Sequence, residues 1–373
     1  MKPLVALPFM LLCTTSAFAV DAPAPIAGQS PPTVSEQLKD AAGTMIGNPN
    51  AKADQDMQRV LDAQAELGPR PIEELSAEEA RQQPSPADGL KALLKKEGKS
   101  GDVVGVTSKD ISYVGAAGTL PARVYVPSGD LKNLPVILYF HGGGFVIANI
   151  DTYDAAPRSM SKLARAVVIS ADYRLAPENK FPAAHDDAFA AYKWVIEHAK
   201  DFGGDAERIA VMGESAGANL AINVSIAARD SAIQKPVHQV LVYPVAGTDM
   251  TTKSYDDNAK ARPLNKAMMT WFFDKVGAPP GKQPKLNLVA DAKLDHLPNA
   301  TMVTAEIDPL RSEGQLLADK LKDAGVAVEL RDFAGATHEF FGMSAAVKDA
   351  AEAQAFVANQ LSVAFAQSGP QGQ

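Results

Sequence analysis

A strand pattern at residues 208–212, apolar from residue 209 onward, leads directly into Gly-Glu-Ser-Ala-Gly at residues 213–217, and a helical pattern follows without a break. Small residues on both sides of Ser215 permit the sharp strand-to-helix turn that lifts a serine hydroxyl above the edge of a sheet. A serine hydroxyl is a poor nucleophile until a neighbouring base removes its proton. The segment therefore predicts a buried strand, a tight turn and a helix, with Ser215 as a candidate nucleophile.

A second glycine-rich motif, His-Gly-Gly-Gly at residues 141–144, follows the apolar run at residues 135–140. Glycine allows the main chain to come within about 3 Å of a charged oxygen with no side chain between them. We predict that the backbone N–H groups of Gly143, Gly144 and Ala216 form an oxyanion hole. Acyl transfer needs both a nucleophile and an oxyanion hole, so the two motifs together predict this chemistry. A phosphate-binding loop is disfavoured because no Gly-Lys-Ser or Gly-Lys-Thr sequence follows the glycines.

Apolar strand patterns alternate with helical patterns from residue 134 to residue 366. This alternation predicts an α/β fold, with a mostly parallel central sheet and helices on both of its faces. In such sheets, ligands bind outside the carboxyl ends of the strands. Catalytic side chains are therefore expected just after strands rather than just before them.

The chain has six histidines, and only His338 follows a strand pattern, at residues 326–332, through a short loop. His141 belongs to the glycine-rich motif. The others lie on a helix ahead of the serine strand or stand just before strands: His185, His198, His238 and His296. We therefore predict that His338 is the general base.

The acid that orients the imidazole should also follow a strand, between the serine and the histidine in the chain. Asp308 comes after the strand pattern at residues 301–306 and precedes a proline that ends the strand. We predict Asp308 for this role, with Asp249 and Glu306 as alternatives. The resulting order of serine, aspartate and histidine is that of α/β-hydrolases.

Residues 1–19 have the pattern of a signal peptide, with Lys2, an apolar run at residues 4–12 and the cleavage site Ala17-Phe18-Ala19. The protein is therefore expected to be exported, to the periplasm or to the medium. Cys13, the only cysteine, lies in this segment. The mature chain would then have no disulfide and no thiolate metal site.

The rest of the chain is expected to have three parts. Residues 20–53 begin with a proline-rich stretch typical of a flexible linker. Residues 54–100 have helical patterns and are predicted to form a helical cap, and residues 101–367 are predicted to form the catalytic domain. A segment at about 250–280 is expected to add to the cap. Its apolar part, residues 263–276, is predicted either to line the acyl pocket or to belong to the core.

The formal net charge of −8 at pH 7 argues against nucleic acid and anionic membranes as partners. No run after the signal is long and apolar enough for stable membrane insertion. No cluster of ligating side chains suggests a metal, and acyl transfer by a serine needs no organic cofactor. The expected partner is a small-molecule ester, and the oligomeric state is left open.

Together these motifs resemble those of the hormone-sensitive lipase family of α/β-hydrolases, which includes the bacterial family IV carboxylesterases. The resemblance extends over most of residues 54–366 and includes the sequence DYRLAPE at residues 172–178. It implies an α/β-hydrolase fold with a helical cap, and it implies Ser215, Asp308 and His338 as the triad. The implied activity is that of a serine carboxylesterase, which hydrolyses short- to medium-chain esters through an acyl-enzyme.

The resemblance also implies supporting roles for His141, Gly142 and Glu214. Two positions depart from the residues usual in the family, because Glu214 stands in place of an aspartate and Glu339 in place of a glycine. Neither departure removes a reacting group, and their effect on pH dependence is left open. The alternative functions are an interfacial lipase, a sugar-ester deacetylase, a peptidase of the prolyl-oligopeptidase type, and a non-catalytic binding protein.

Overall fold

The computed structural model describes residues 47–129 and 132–368. The predicted signal peptide, at residues 1–19, and most of the predicted linker lie outside the described residues. Within the two described ranges, no helix is both long and apolar enough to cross a lipid bilayer.

An eight-stranded sheet forms the centre of the protein. Its strands are β1 Val106–Gly115, β2 Gly118–Pro127, β3 Leu134–Phe140, β4 Val167–Ala171, β5 Gly204–Glu214, β6 His238–Val242, β7 Ala300–Ile307 and β8 Val328–Thr337. They are arranged in the order β1-β2-β4-β3-β5-β6-β7-β8. Strand β2 runs antiparallel to β1 and β4, and the other pairings in the sheet are parallel. This mostly parallel sheet confirms the predicted α/β class.

Helices cover both faces of the sheet. They are α1 Gln55–Glu66, α2 Ala77–Ala80, α3 Pro86–Lys96, α4 Ala155–Leu163, α5 Ala183–His198, α6 Ala216–Asp230, α7 Lys253–Asp257, α8 Lys266–Val276, α9 Leu288–Asp291, α10 Arg311–Asp323 and α11 Lys348–Ser368. Along β3, Val136 and Leu138 belong to one core cluster, whereas Ile137 and Tyr139 belong to the other. Because side chains alternate across a strand, β3 is buried on both faces, as its continuous apolar run predicts.

Strand β8 is longer than the sequence pattern predicts, because it includes residues 334–337, which read as a loop. The pairing of β7 with β8 shifts register in this region, and Gly335 has a left-handed φ of 73°. The Gly335 N–H donates to the Glu306 carboxylate at a distance of 2.8 Å. This irregularity interrupts the alternating pattern without ending the strand, and it makes His338 the first residue after β8.

The N-terminal helices are fastened to the body of the protein by Arg81, which directly follows α2. Its guanidinium donates to the main-chain oxygens of Val146 and Ala176 at 2.8 and 2.9 Å. It also forms two hydrogen bonds with the carboxylate of Glu178. Paired contacts between guanidinium and carboxylate fix orientation as well as distance. Arg81 therefore holds the N-terminal helices against the segments that follow β3 and β4.

Candidate active site

Ser215 lies at the turn between β5 and α6, with backbone angles of φ 57° and ψ −119°. These angles are rare for residues other than glycine, so the surrounding structure must hold them. The Ser215 N–H donates to the Val242 carbonyl at 2.9 Å. A Cβ added at Gly217 would lie 2.1 Å from the carbonyl oxygen of Phe140. The close approach of α6 to the end of β3 therefore requires glycine at position 217.

Three of the predicted residues form a hydrogen-bonded series at the carboxyl ends of β5, β7 and β8. The His338 Nε2 lies 3.0 Å from the Ser215 Oγ, and the His338 Nδ1 lies 2.6 Å from the Asp308 Oδ2. All three side chains are buried. The other carboxylate oxygen, Oδ1, accepts the N–H of Leu310 at 2.8 Å. With Asp308 held in this way, the neutral imidazole carries its proton on Nδ1, and Nε2 is free to accept a proton.

The other candidates for acid and base are engaged elsewhere. Asp249 is exposed and accepts hydrogen bonds from the N–H and hydroxyl of Thr251. Glu306 accepts the N–H of the glycine in β8. His185 and His238 are buried, and each is hydrogen-bonded to a core side chain, an asparagine and a threonine respectively. The structure therefore brings Asp308 and His338 to the serine and leaves the alternatives apart from it.

The glycine-rich loop after β3 borders the serine. Gly143 and Gly144 line the same cavity as Ser215. Gly143 has a φ of 97°, and a Cβ there would lie 2.2 Å from the Ile147 carbonyl oxygen. Ala216 is the first residue of α6, and the first N–H groups of a helix have no partner within the helix. Two of the predicted oxyanion-hole donors thus share a cavity with Ser215, and the third follows it in the chain.

His141 fastens the glycine-rich loop to the segment that follows β4. Its Nε2 lies 2.9 Å from the Asp172 Oδ1, and its ring stacks on Tyr173 with the centroids 4.3 Å apart. The Tyr173 hydroxyl is 2.9 Å from the carbonyl oxygen of His141 and 3.2 Å from that of Gly142. Asp172 and Tyr173 begin the DYRLAPE sequence. This sequence therefore holds the glycine-rich loop in position through contacts with His141 and Gly142.

Glu214, the residue before the serine, is buried beneath the turn. Its carboxylate accepts hydrogen bonds from the Tyr139 hydroxyl, at 2.5 Å, and from the Tyr243 hydroxyl. Burial raises the pKa of the Glu214 carboxyl to about 7, although both hydroxyls act in the opposite direction. Glu214 therefore links strand β3 to the residue that follows β6, directly below the serine.

Glu339 adds a second carboxylate on the histidine side of the site. It has a left-handed φ of 65°, and its Oε1 accepts the Tyr153 hydroxyl at 2.9 Å. Burial raises the pKa of the Glu339 carboxyl. Burial alone would lower the pKa of His338, but the carboxylates of Asp308, Glu339 and Glu214 outweigh it and raise that pKa. The site thus stabilises an imidazolium, the form that the ring takes after it accepts a proton.

The serine and histidine open onto a cavity of about 450 Å³. Apolar residues of the 263–276 segment form part of its wall: Pro263, Leu264, Met268, Met269 and Phe272. The N-terminal helical region contributes Gln64, Ile72, Ala80, Arg81 and Ser85. Trp271 lies outside this wall, and its indole N–H donates to the Leu75 carbonyl at 3.0 Å. The segment therefore both lines the cavity and belongs to the core, and Leu264, Met269 and Phe272 do both.

Sequence reasoning missed the tyrosines around the two glutamates. Tyr139, Tyr153 and Tyr243 come from β3, from the segment before α4 and from the residue after β6. They are far apart in the chain, so no local motif joins them, and the inward position of Tyr139 on a buried strand was the one available signal.

Sequence reasoning also missed Glu313 on α10, whose carboxylate accepts a hydrogen bond from the Ala246 N–H at 2.8 Å. Burial raises the pKa of Glu313 to about 8.

No group of three or more His, Cys, Asp or Glu side chains in the described part of the chain is arranged to hold a metal ion. The groups around Ser215 include the glycine-rich loop that lines the same cavity, the imidazole of His338, and the carboxylate of Asp308 behind that imidazole. This set can activate a hydroxyl and stabilise a developing negative charge on oxygen. The arrangement is therefore suited to acyl transfer.

Residues 137–342 match the model of a protein family described as having the α/β hydrolase fold. The chain is 38% identical over 253 residues to carboxylesterase NlhH of Mycobacterium tuberculosis, covering 66% of this chain and 79% of that protein. It is 33% identical over 299 residues to the ethyl acetate hydrolase of Pseudomonas putida, covering 78% and 91% respectively. The solved structure of a hyperthermophilic esterase from the archaeon Pyrobaculum calidifontis has a TM-score of 0.71 and 36% identity, covering 78% of this chain and 94% of that one. The predicted α/β-hydrolase fold is confirmed.

Proposed function

The chain belongs to the α/β-hydrolase-fold family, in its hormone-sensitive lipase group, and is a carboxylic ester hydrolase; on this basis we propose that it cleaves short- to medium-chain esters through an acyl-enzyme on Ser215. His338 serves as general base and then as general acid. Asp308 orients the imidazole, and the N–H groups of Gly143 and Gly144 bind the oxyanion together with that of Ala216.

The reaction follows from the direction of the hydrogen bonds. His338 takes the hydroxyl proton at Nε2 as the Ser215 Oγ attacks the ester carbonyl. Negative charge develops on the carbonyl oxygen, where the main-chain N–H groups stabilise it. His338 then gives its proton to the leaving alkoxide, and the alcohol departs. Water repeats the sequence on the acyl-enzyme, which releases the carboxylic acid and regenerates Ser215.

One observation carries this proposal. The Ser215 Oγ lies 3.0 Å from the His338 Nε2, which is the path for the serine proton, and the His338 Nδ1 lies 2.6 Å from the Asp308 Oδ2, which holds the imidazole in the tautomer that can accept it. The carboxylates around His338 raise its pKa, and this favours the proton's transfer from the hydroxyl. The three residues lie in separate parts of the chain, and their convergence in one hydrogen-bonded series supports a common role.

Several features support a preference for short or medium acyl groups. The cavity of about 450 Å³ is at the lower end of the range of about 300–1,000 Å³ that small-molecule sites span. Leu264, Met268 and Phe272 supply apolar surface for an acyl chain. The Pseudomonas relative, named for the hydrolysis of ethyl acetate, is consistent with a short acyl group.

We expect kcat/KM for p-nitrophenyl esters to peak at short or medium chains when the series extends from acetate to palmitate. Subtracting the rate of the Ser215→Ala variant isolates the enzymatic part. A peak at palmitate, with a jump in rate when the substrate forms droplets, would instead identify an interfacial lipase. A rate equal to that of the variant across the series would favour a binding protein.

Replacing Glu339 with glutamine is expected to change how kcat/KM depends on pH. The fall of kcat/KM on the acid side of the pH profile, its acid limb, should move to lower pH. The base works only when His338 is neutral, and the Glu339 carboxylate helps to raise the His338 pKa. Glutamine removes that charge while its amide oxygen still accepts the Tyr153 hydroxyl. The imidazole then loses its proton at a lower pH, so the variant stays active further into acid. The measurement is kcat/KM for p-nitrophenyl acetate as a function of pH.

The matched control is Glu352→Gln, because Glu352 is a half-buried carboxylate on α11 that lines neither cavity and pairs with Arg331 and Lys348. This change alters the net charge of the protein by the same amount, and its acid limb should coincide with that of the wild type. Equal shifts in both variants would attribute the effect to net charge. An unmoved limb in Glu339→Gln would show that Glu339 does not influence the base.

A further inference from the structure

A second cavity, of about 550 Å³, lies beside the first and is used by no step of the proposed mechanism. It is formed by α3, residues 99–103, the start of α4 and the segment after His338. Leu90, Leu94 and Met343 give it apolar walls. Glu214 and Glu339 also border it, so it extends to the histidine side of the active site.

The two cavities share a wall. Four residues line both of them: Pro86, Thr152, Tyr153 and Glu339. The hydrogen bond of 2.9 Å between the Tyr153 hydroxyl and the Glu339 carboxylate closes this wall. Both residues are tied to the catalytic machinery, because Glu339 follows His338 and a Cβ added at Gly142 would lie 2.3 Å from the Tyr153 hydroxyl. The wall therefore stands between the reacting groups and the second cavity.

The chemistry of the reaction determines which half of an ester faces this wall. His338 Nε2 must deliver a proton to the leaving oxygen, so the alcohol half lies on the histidine side of the carbonyl carbon. Glu339 is the next residue in the chain and belongs to the wall. The acyl half points away from the histidine and toward the remaining walls of the first cavity, which include Met268 and Phe272.

We propose that the second cavity, which we name the alcohol chamber, binds bulky apolar alcohol groups of ester substrates; this inference rests on the proposed ester hydrolysis at Ser215. A small alcohol fits in the first cavity alone. A bulky one separates Tyr153 from Glu339 and enters the chamber, where it buries its surface against Leu90, Leu94 and Met343.

The charges around the chamber favour an uncharged occupant. Its lining has both signs, from the basic residues Lys91, Lys95, Lys99 and Arg158 and the acidic residues Asp102, Asp151, Asp154, Glu214 and Glu339. Because the two sets are nearly balanced, the lining provides little net attraction for either a cation or an anion. Apolar contact with the walls is then the main source of affinity. The chamber's volume lies within the usual range for small-molecule sites.

The test compares two acetates, ethyl acetate and 2-cyclohexylethyl acetate, whose primary alcohols differ mainly in size. Both form the same acetyl-enzyme, so deacylation is identical and the ratio of their kcat/KM values reports on the alcohol half alone. Ala87 on α3 lines the chamber but not the first cavity. Ala87→Trp fills the chamber. It should lower the ratio of kcat/KM for 2-cyclohexylethyl acetate to kcat/KM for ethyl acetate by about tenfold or more. Ala87→Leu, a smaller filler, should lower it less.

The matched control is Ala92→Trp, the same substitution on the same helix at a position that lines neither cavity. It should leave the ratio unchanged. An unaltered ratio in both Ala87 variants, or an equal fall in Ala92→Trp, would overturn the inference while the proposed function stands. A wild-type protein that hydrolyses neither acetate in a Ser215-dependent way would overturn the proposed function, and the chamber's role with it. Thermal unfolding of each variant establishes that the compared proteins are folded.

Discussion

Replacing Ser215 with alanine is expected to lower kcat/KM for p-nitrophenyl acetate by about 10⁴–10⁶-fold. The change deletes the single oxygen atom that lies 3.0 Å from His338 Nε2, and with it the nucleophile. It adds no atom to a buried turn whose shape depends on main-chain contacts, so the protein should remain folded. Steady-state release of p-nitrophenol measures the loss, and thermal unfolding followed by circular dichroism verifies the fold.

Two companion variants sharpen this prediction. His338→Ala should lower kcat/KM by a comparable factor. The double variant should have nearly the same kcat/KM as either single variant, because the two residues act as a unit. Ser225→Ala is the matched control, since Ser225 is a fully buried serine on the same helix α6. It should retain near-wild-type activity. A Ser215→Ala variant with more than about a hundredth of the wild-type rate would contradict nucleophilic catalysis by Ser215.

The alternation of strands and helices and the grouping of the candidate triad residues could be predicted because their signals are local. Ser215, Asp308 and His338 each stand just after a strand, and parallel strands bring their carboxyl ends to one edge. Identifying the residues that directly follow strands is therefore enough to predict that these three side chains lie close together. Glu306 also stands at this edge, and its actual partner, the N–H of Gly335, depends on an irregular pairing that no sequence pattern reveals.

The parts that sequence reasoning missed depend on contacts between distant segments. The edge strand β1 is mostly exposed and includes the polar residues Ser108, Lys109 and Asp110, so its sequence has no apolar strand pattern. On α1, Ala65 continues the helical spacing of the apolar residues Met57 and Leu61 but is exposed, and Ala63 is the last buried residue of the helix. The hydrogen bond between Tyr153 and Glu339 joins residues 186 positions apart. Such contacts follow from the completed fold and not from neighbouring residues.

Replacing Asp308 with asparagine is expected to lower kcat at neutral pH by about 10⁴-fold with little change in KM. The Asp308 Oδ1 accepts the Leu310 N–H, and an asparagine would keep its amide oxygen in that position. Its NH₂ group would then face His338 Nδ1, where the carboxylate Oδ2 now lies at 2.6 Å. An NH₂ donor stabilises the tautomer whose proton is on Nε2, and that nitrogen cannot accept the serine proton. Substrate binding is unaffected, so the loss falls on kcat.

Asp249→Asn is the matched control for this prediction, because it makes the same chemical change at the alternative acid. Asp249 is exposed and bonds to Thr251, so its replacement should leave kcat close to that of the wild type. Progress curves for p-nitrophenyl acetate give kcat and KM for both variants. If Asp249→Asn lowered kcat by several orders of magnitude while Asp308→Asn did not, Asp249 would be the acid that orients the imidazole. Because only Asp308 reaches the imidazole, we expect the opposite result.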